Sequence, residues 1–236
     1  MSRALLEVAV LHARDLPGCE QGGADRLSLA VEGEGDGRSP ELALAASVIR
    51  GTHLPVRVML RLNDSLTTTG GEFVRLVALA EELVSLGAEG VELGFLDADL
   101  EIDVETCRAL AAALPGVPWT FHRAVDHVLE PARAWRALAV GLPGLTAVRS
   151  GGSPLGLDHG YDDLLALAQS DPDVARLLLP AGGLRPEHVP WLLRAGVGQL
   201  HVDVQVRPGS TTRSYVDADY VRSWRLMLDD AASRSA

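Results

Sequence analysis

A histidine, an arginine and a carboxylate close the stretch Trp119-Thr-Phe-His-Arg-Ala-Val-Asp126. His122 is a titratable group near neutrality, Arg123 a fixed positive charge and Asp126 an orienting carboxylate. Together they suit proton transfer on an anionic molecule. The plainer account makes Arg123 and Asp126 a strand-end ion pair and lets His122 fill space. Two acids stand inside apolar runs, Glu7 in Leu5-Leu-Glu-Val-Ala-Val-Leu11 and Glu92 in Glu89-Gly-Val-Glu-Leu-Gly-Phe-Leu96. A buried carboxylate is costly unless paired, so Glu7 either faces a ligand or forms half of an internal ion pair. Arg61 ends the run Leu54-Pro-Val-Arg-Val-Met-Leu-Arg61, and His201 lies near the end of Gln199-Leu-His-Val-Asp203. Ser150-Gly151-Gly152-Ser153 and Ala181-Gly182-Gly183 follow directly on two more apolar runs. Their backbone N–H groups could approach a bound anion closely, or the glycines could merely make tight turns.

These residues share one property: each sits in or just after a short apolar run. Eight such runs read as strands: Leu5–Leu11, Ala24–Val31, Leu54–Arg61, Glu89–Leu96, Trp119–His122, Leu145–Ser150, Val174–Pro180 and Gln199–Asp203. Between them lie segments with helical periodicity or helix punctuation. The first, Arg14 to Gly23, is short; the next starts at Ser39-Pro40-Glu41 and runs to about Ile49. Further helices are expected over 72–86, 103–114, 130–140, 161–169, 186–195 and 215–232. Eight strands, each followed by a helix, in 236 residues predict an α/β chain folded as a single (β/α)8 TIM barrel over residues 1–236. A doubly wound open sheet would carry a glycine fingerprint in its first turn, and His12-Ala-Arg-Asp-Leu-Pro17 does not fit one.

In such a barrel the C-terminal strand ends meet at one mouth. Glu7, Arg61, Glu92, His122, Arg123 and His201 are therefore the candidates for acid-base chemistry. Ser150, Gly151, Gly152, Gly182 and Gly183 are the candidates for holding an anion. Adjacent strand residues face opposite ways, so His122 and Arg123 are not both expected to face the pocket. As a metal site, Glu7, Glu92, His122 and His201 have suitable donor atoms but no diagnostic spacing.

The formal net charge of −11 argues against nucleic acid and anionic membranes as partners. Two cysteines, Cys19 and Cys107, stand in no metal-like or disulfide-like spacing, which fits a reducing cytoplasm. No apolar run is long enough to cross a bilayer, and Glu7 interrupts the start as a signal peptide.

Taken in order, the strand motifs resemble the CutC copper homeostasis family. The matching pieces are Leu6-Glu-Val, Gly22-Gly-Ala-Asp-Arg26, Pro55-Val-Arg-Val-Met-Leu-Arg61 and Gly87-Ala-Glu-Gly-Val91. Others are the Leu96-Asp-Ala-Asp99 loop, Thr120-Phe-His-Arg-Ala-Val-Asp126, Ser150-Gly151, Pro180-Ala-Gly-Gly183 and His201. The resemblance implies a (β/α)8 barrel, a cytoplasmic setting and an association with copper, proposed to be Cu(I). Where the family typically has cysteines this chain has Ala9 and Ala30, and Ser28 stands where an acid is usual. Cu(I) favours soft sulfur ligands, which alanine does not supply. The alternative is a lyase, isomerase or hydrolase acting on a small phosphorylated or carboxylated metabolite at the barrel mouth. A third reading keeps the barrel as a non-catalytic scaffold in a homo-oligomer.

Overall fold

The computed structural model describes residues 3–31 and 37–234. All eight expected strands form: β1 (Leu5–Val10), β2 (Arg26–Leu29), β3 (Val56–Met59), β4 (Gly90–Leu93), β5 (Trp119–Phe121), β6 (Leu145–Ser150), β7 (Leu178–Pro180) and β8 (Gln199–Val202). They pair in parallel in the order β7-β6-β5-β4-β3-β2-β1-β8. The ring is completed where β8 comes round beside β7, a (β/α)8 barrel. At that seam the Gln199 carboxamide donates to the carbonyls of Leu177 and Thr146, both at 3.2 Å.

The outer layer comprises α1 (Leu16–Gly22), α2 (Leu42–Arg50), α3 (Gly70–Ser85), α4 (Val104–Ala113), α5 (Pro131–Ala139), α6 (Leu157–Ser170), α7 (Pro172–Leu177), α8 (Val189–Arg194) and α9 (Ala218–Arg234). Two starts show how sequence sets the boundaries. Thr69 and Glu72 form a reciprocal cap at the head of α3, each side chain accepting the other's backbone N–H. Asp171 accepts from the N–H groups of Asp173 and Val174, with Pro172 next in line. That cap-then-proline signal overturns the expected strand over 174–177: those residues are the helix α7, and β7 keeps only Leu178–Pro180. The helix expected from 161 begins four residues earlier, after Gly156, and the last begins at Ala218 instead of 215. The segment expected as one helix over 186–195 divides into a 3-10 turn, Pro186–His188, and α8. Most of the loop expected over 32–40 lies outside the described residues.

Strand pleating divides the side chains into two shells. Leu6, Val8, Leu27, Leu29, Val58 and Leu93 belong to the apolar core beneath the helices. The alternate residues Glu7, Arg26, Ser28, Arg57, Glu92, Thr120, Arg149 and His201 are buried and polar. The barrel interior is thus held by ion pairs and hydrogen bonds where many barrels stack aliphatic layers. Arg26 meets Glu7 at 2.5 Å, Arg57 meets Glu89 at 2.9 Å and the Thr120 hydroxyl at 2.7 Å, and Arg149 pairs with Glu92.

Candidate functional site

A cavity of about 460 Å³ opens at the C-terminal ends of the strands. Ala9, Ser28, Arg123, Arg149, His201 and Asp203 are among its lining residues, and Gly182 and Gly183 form part of its wall. Register explains the first grouping. β1 pairs with β8 so that Glu7 lies level with His201, and with β2 so that Glu7 lies level with Arg26. His201 Nδ1 is 2.8 Å from Glu7 Oε1, and Arg26 Nε donates to Oε2. Glu7 is fully buried, and burial alone would raise its carboxyl. The Arg26 guanidinium, with the hydrogen bond and charge of His201, overcomes this and holds Glu7 well below the usual carboxylate range. An ionised carboxylate on Nδ1 fixes the ring of His201. No hydrogen bond among the described residues engages its other nitrogen, Nε2.

A second carboxylate, buried like Glu7 and like it outside the cavity wall, behaves oppositely. Glu92 is level with Met59 and Thr120 and fully buried. Burial pushes its pKa up, Arg149 opposes the rise and the nearby charge of Glu7 adds to it. Arg149 bridges Glu92 to the cavity, because its Nη1 also donates to the Ser28 hydroxyl at 3.0 Å. Glu92 itself is not in the cavity wall; Arg149 and Ser28 stand between.

The remaining expected site residues occupy separate places. Arg123 lines the cavity and forms the strand-end pair with Asp126 at 2.8 Å. Burial raises the Asp126 carboxyl, although Arg123 and the Ser150 hydroxyl work against that. His122 is buried behind the wall, its Nδ1 accepting from the Ala124 N–H and capping the 3-10 turn Arg123–His127. His122 and Arg123 lie past the end of β5, His122 as the cap of the 3-10 turn and Arg123 as its first residue, and only Arg123 reaches the cavity. Arg61 is also outside the wall; it donates to the Asp64 carbonyl at 2.5 Å and to the Gly37 carbonyl at 3.4 Å.

The two glycine turns differ. The Gly151 N–H donates to Asp126 Oδ2 and the Gly152 N–H to the Ser150 hydroxyl oxygen, both at 2.9 Å, while Ser150 donates to Asp126 Oδ1. These donors are turned to acceptors within the protein, which removes them from the expected anion site. A Cβ on Gly151 would come within 2.7 Å of Gly156, and one on Gly152 within 2.3 Å of Gly160, so the glycines serve backbone packing. Gly182 and Gly183 instead bound the cavity with positive φ of 79° and 95°, and no described residue accepts from their N–H groups.

A profile of the CutC family matches residues 4–206. The chain belongs to the CutC family. A Klebsiella pneumoniae (strain 342) CutC protein is 28% identical over 234 residues, spanning 94% of this chain and 93% of that one. A CutC protein of Xylella fastidiosa is 31% identical over 209 residues, spanning 85% of this chain and 74% of its own length. The fold is shared with a CutC crystal structure from Streptococcus agalactiae, named for copper homeostasis, at a TM-score of 0.72 and 21% identity over 84% of this chain and 97% of that one.

Ala9 and Ala30 both line the cavity. Among the described lining side chains His201 supplies the imidazole and none supplies sulfur, so the cavity does not fit the soft-ligand preference of Cu(I). Cys19 and Cys107 are fully buried in α1 and α4, where burial pushes both thiols up to about 12. No described helix is long and apolar enough to cross a membrane.

Sequence reasoning passed over Arg26, Arg149 and Asp203, and noted Ser28 only as a departure from the family pattern. Arg26, Arg57 and Arg149 share the signal that drew attention to Glu7 and Glu92, a charge inside an apolar strand.

Proposed function

We propose that this CutC-family chain binds a small phosphorylated or carboxylated metabolite at the barrel mouth and moves a proton on it through His201. One observation carries the reading. An imidazole is fixed through Nδ1 by a buried, ionised Glu7, while its ring borders an open cavity. Arg26 keeps that carboxylate charged, so the imidazole can take up a proton without being expelled as a cation. Arg149 and Arg123, with the N–H groups of Gly182 and Gly183, supply the donors for the anionic end of the molecule. The buried, reduced thiols fit a cytoplasmic setting.

The test is a screen of phosphorylated and carboxylated metabolites in D2O, followed by NMR for loss of a carbon-bound proton signal. Wild type is expected to exchange a proton on at least one compound, and His201→Gln to lose that exchange while keeping its fold. Exchange that survives in His201→Gln, or none with any compound, sinks the assignment. Copper binding, the reading the family name favours, is tested separately by competition against a chromophoric Cu(I) chelator. With alanines at 9 and 30, no stoichiometric Cu(I) binding is expected, and tight binding that persists in a Cys19→Ser, Cys107→Ser protein would reverse that expectation.

A further inference from the structure

Asp203 supplies a negative charge at the cavity that the acid-base site does not use. It follows β8, lines the cavity close to His201 in sequence, and has a side chain 44% exposed. Its nearest cation is Arg207, whose Nε is 3.8 Å from Oδ1. The terminal nitrogens of that guanidinium are already committed, and only its buried Nε, which faces Asp203, has no hydrogen-bond partner among the described residues. Arg207 is 1% exposed, and its two terminal nitrogens hold the Asp15 carboxylate at 3.0 and 3.1 Å, while also donating to the carbonyls of Ser214 and Ala9. Asp15 in turn accepts from the N–H groups of Leu11, His12 and Val216, so it is an internal fixture of the β1 and β8 loops. One guanidinium serving two carboxylates leaves one negative charge over. Since Asp15 has no exposure, that charge falls on Asp203 at the cavity. Asp203 Oδ1 is shielded from solvent and makes no hydrogen bond among the described residues. Oδ1 faces Arg207, so the exposed remainder of the carboxylate is what a molecule in the cavity can reach, and a cationic donor is the group it would pair with.

We infer that Asp203 binds a cationic amino group of the ligand, so that the molecule taken at this mouth carries an amine as well as its phosphate or carboxylate. The inference rests on the proposed anion-binding mouth and narrows its substrate class to small amine-bearing anions. The cavity then reads one molecule at two ends. Arg149, Arg123 and the Gly182–Gly183 turn take the acid, and Asp203 takes the ammonium, with His201 nearby in the same wall. A charge-assisted contact of this kind is worth about tenfold or more in affinity.

The experiment is calorimetric titration of the whole chain with two matched pairs. One is O-phosphoethanolamine against glycerol 3-phosphate, the other β-alanine against propionate. In at least one pair the amine-bearing member is expected to bind about tenfold tighter to wild type. Asp203→Asn is expected to bring that ratio close to one. Asp203→Glu, which keeps the charge, should retain the preference. Equal binding within both pairs, or a preference that survives Asp203→Asn, overturns the role of Asp203 and leaves the anion site standing. Failure of all four compounds to bind overturns both.

Discussion

Glu7 and Glu92 are both fully buried in one barrel, each against an arginine, yet their carboxyl groups are driven in opposite directions. The difference is in the charge around each. Glu7 has Arg26 on one oxygen and His201 on the other. Glu92 has Arg149 and a hydrogen bond with the neutral Ser28, and it also feels the negative charge of Glu7. Burial costs both acids alike, and surrounding charge decides which stays ionised. The lesson is that a buried acid in a barrel strand is not a role in itself; its neighbours on adjoining strands assign it.

Breaking each pair in turn should expose the asymmetry. Glu7→Gln removes the ionised carboxylate held between Arg26 and His201 and is expected to cost about 3–5 kcal/mol at pH 7 in urea unfolding. Glu92→Gln removes an acid that burial already disfavours and keeps an acceptor for Arg149, so a loss within about 1 kcal/mol is expected. Equal losses would erase the distinction.

Acidity sharpens the same contrast. The folded pKa of Glu7 is depressed, so its stabilisation is present above the unfolded carboxylate value of about 4.3 and is lost as pH falls through the folded value. Glu92 has a raised folded pKa and works the other way, subtracting stability as pH climbs from about 4.3 through that value. Urea midpoints should therefore show Glu92→Gln gaining on wild type between acid and neutral pH. The deficit of Glu7→Gln should shrink as pH falls further. A constant offset for both variants would contradict the opposed shifts.

The smallest effect separates the charged interior from the helix layer. With both thiols pushed up to about 12 and fully buried, Cys19 and Cys107 are expected to resist iodoacetamide at pH 8 in the native protein. Both should label fully in urea. Native labelling of either, read by mass spectrometry, would show that its helix opens.

Strand and helix alternation made the barrel legible before any coordinates, because apolar runs and caps are local signals. The face of each strand was not. In β6 both surfaces are covered, so no polar alternation tells which of Arg149 and Ser150 points inward, and the arginine that lines the cavity was passed over. Glu7 stood out as a charge in an apolar run, but its union with His201 depends on the register of β1 against β8, which no local pattern encodes. Gly151 and Gly152 resembled an anion loop because tight packing and ligand approach both demand glycine.

Glu7 and His201 are 194 residues apart, and the Asp15–Arg207 clasp spans 192. A chain leaving the ribosome therefore makes the acid long before the imidazole and arginine that complete its setting. Until β8 emerges, Glu7 lacks its imidazole and the ring has no closing strand. Mouth assembly is accordingly among the last events of synthesis. A chain truncated before Gln199 would hold most of the scaffold and none of the finished site.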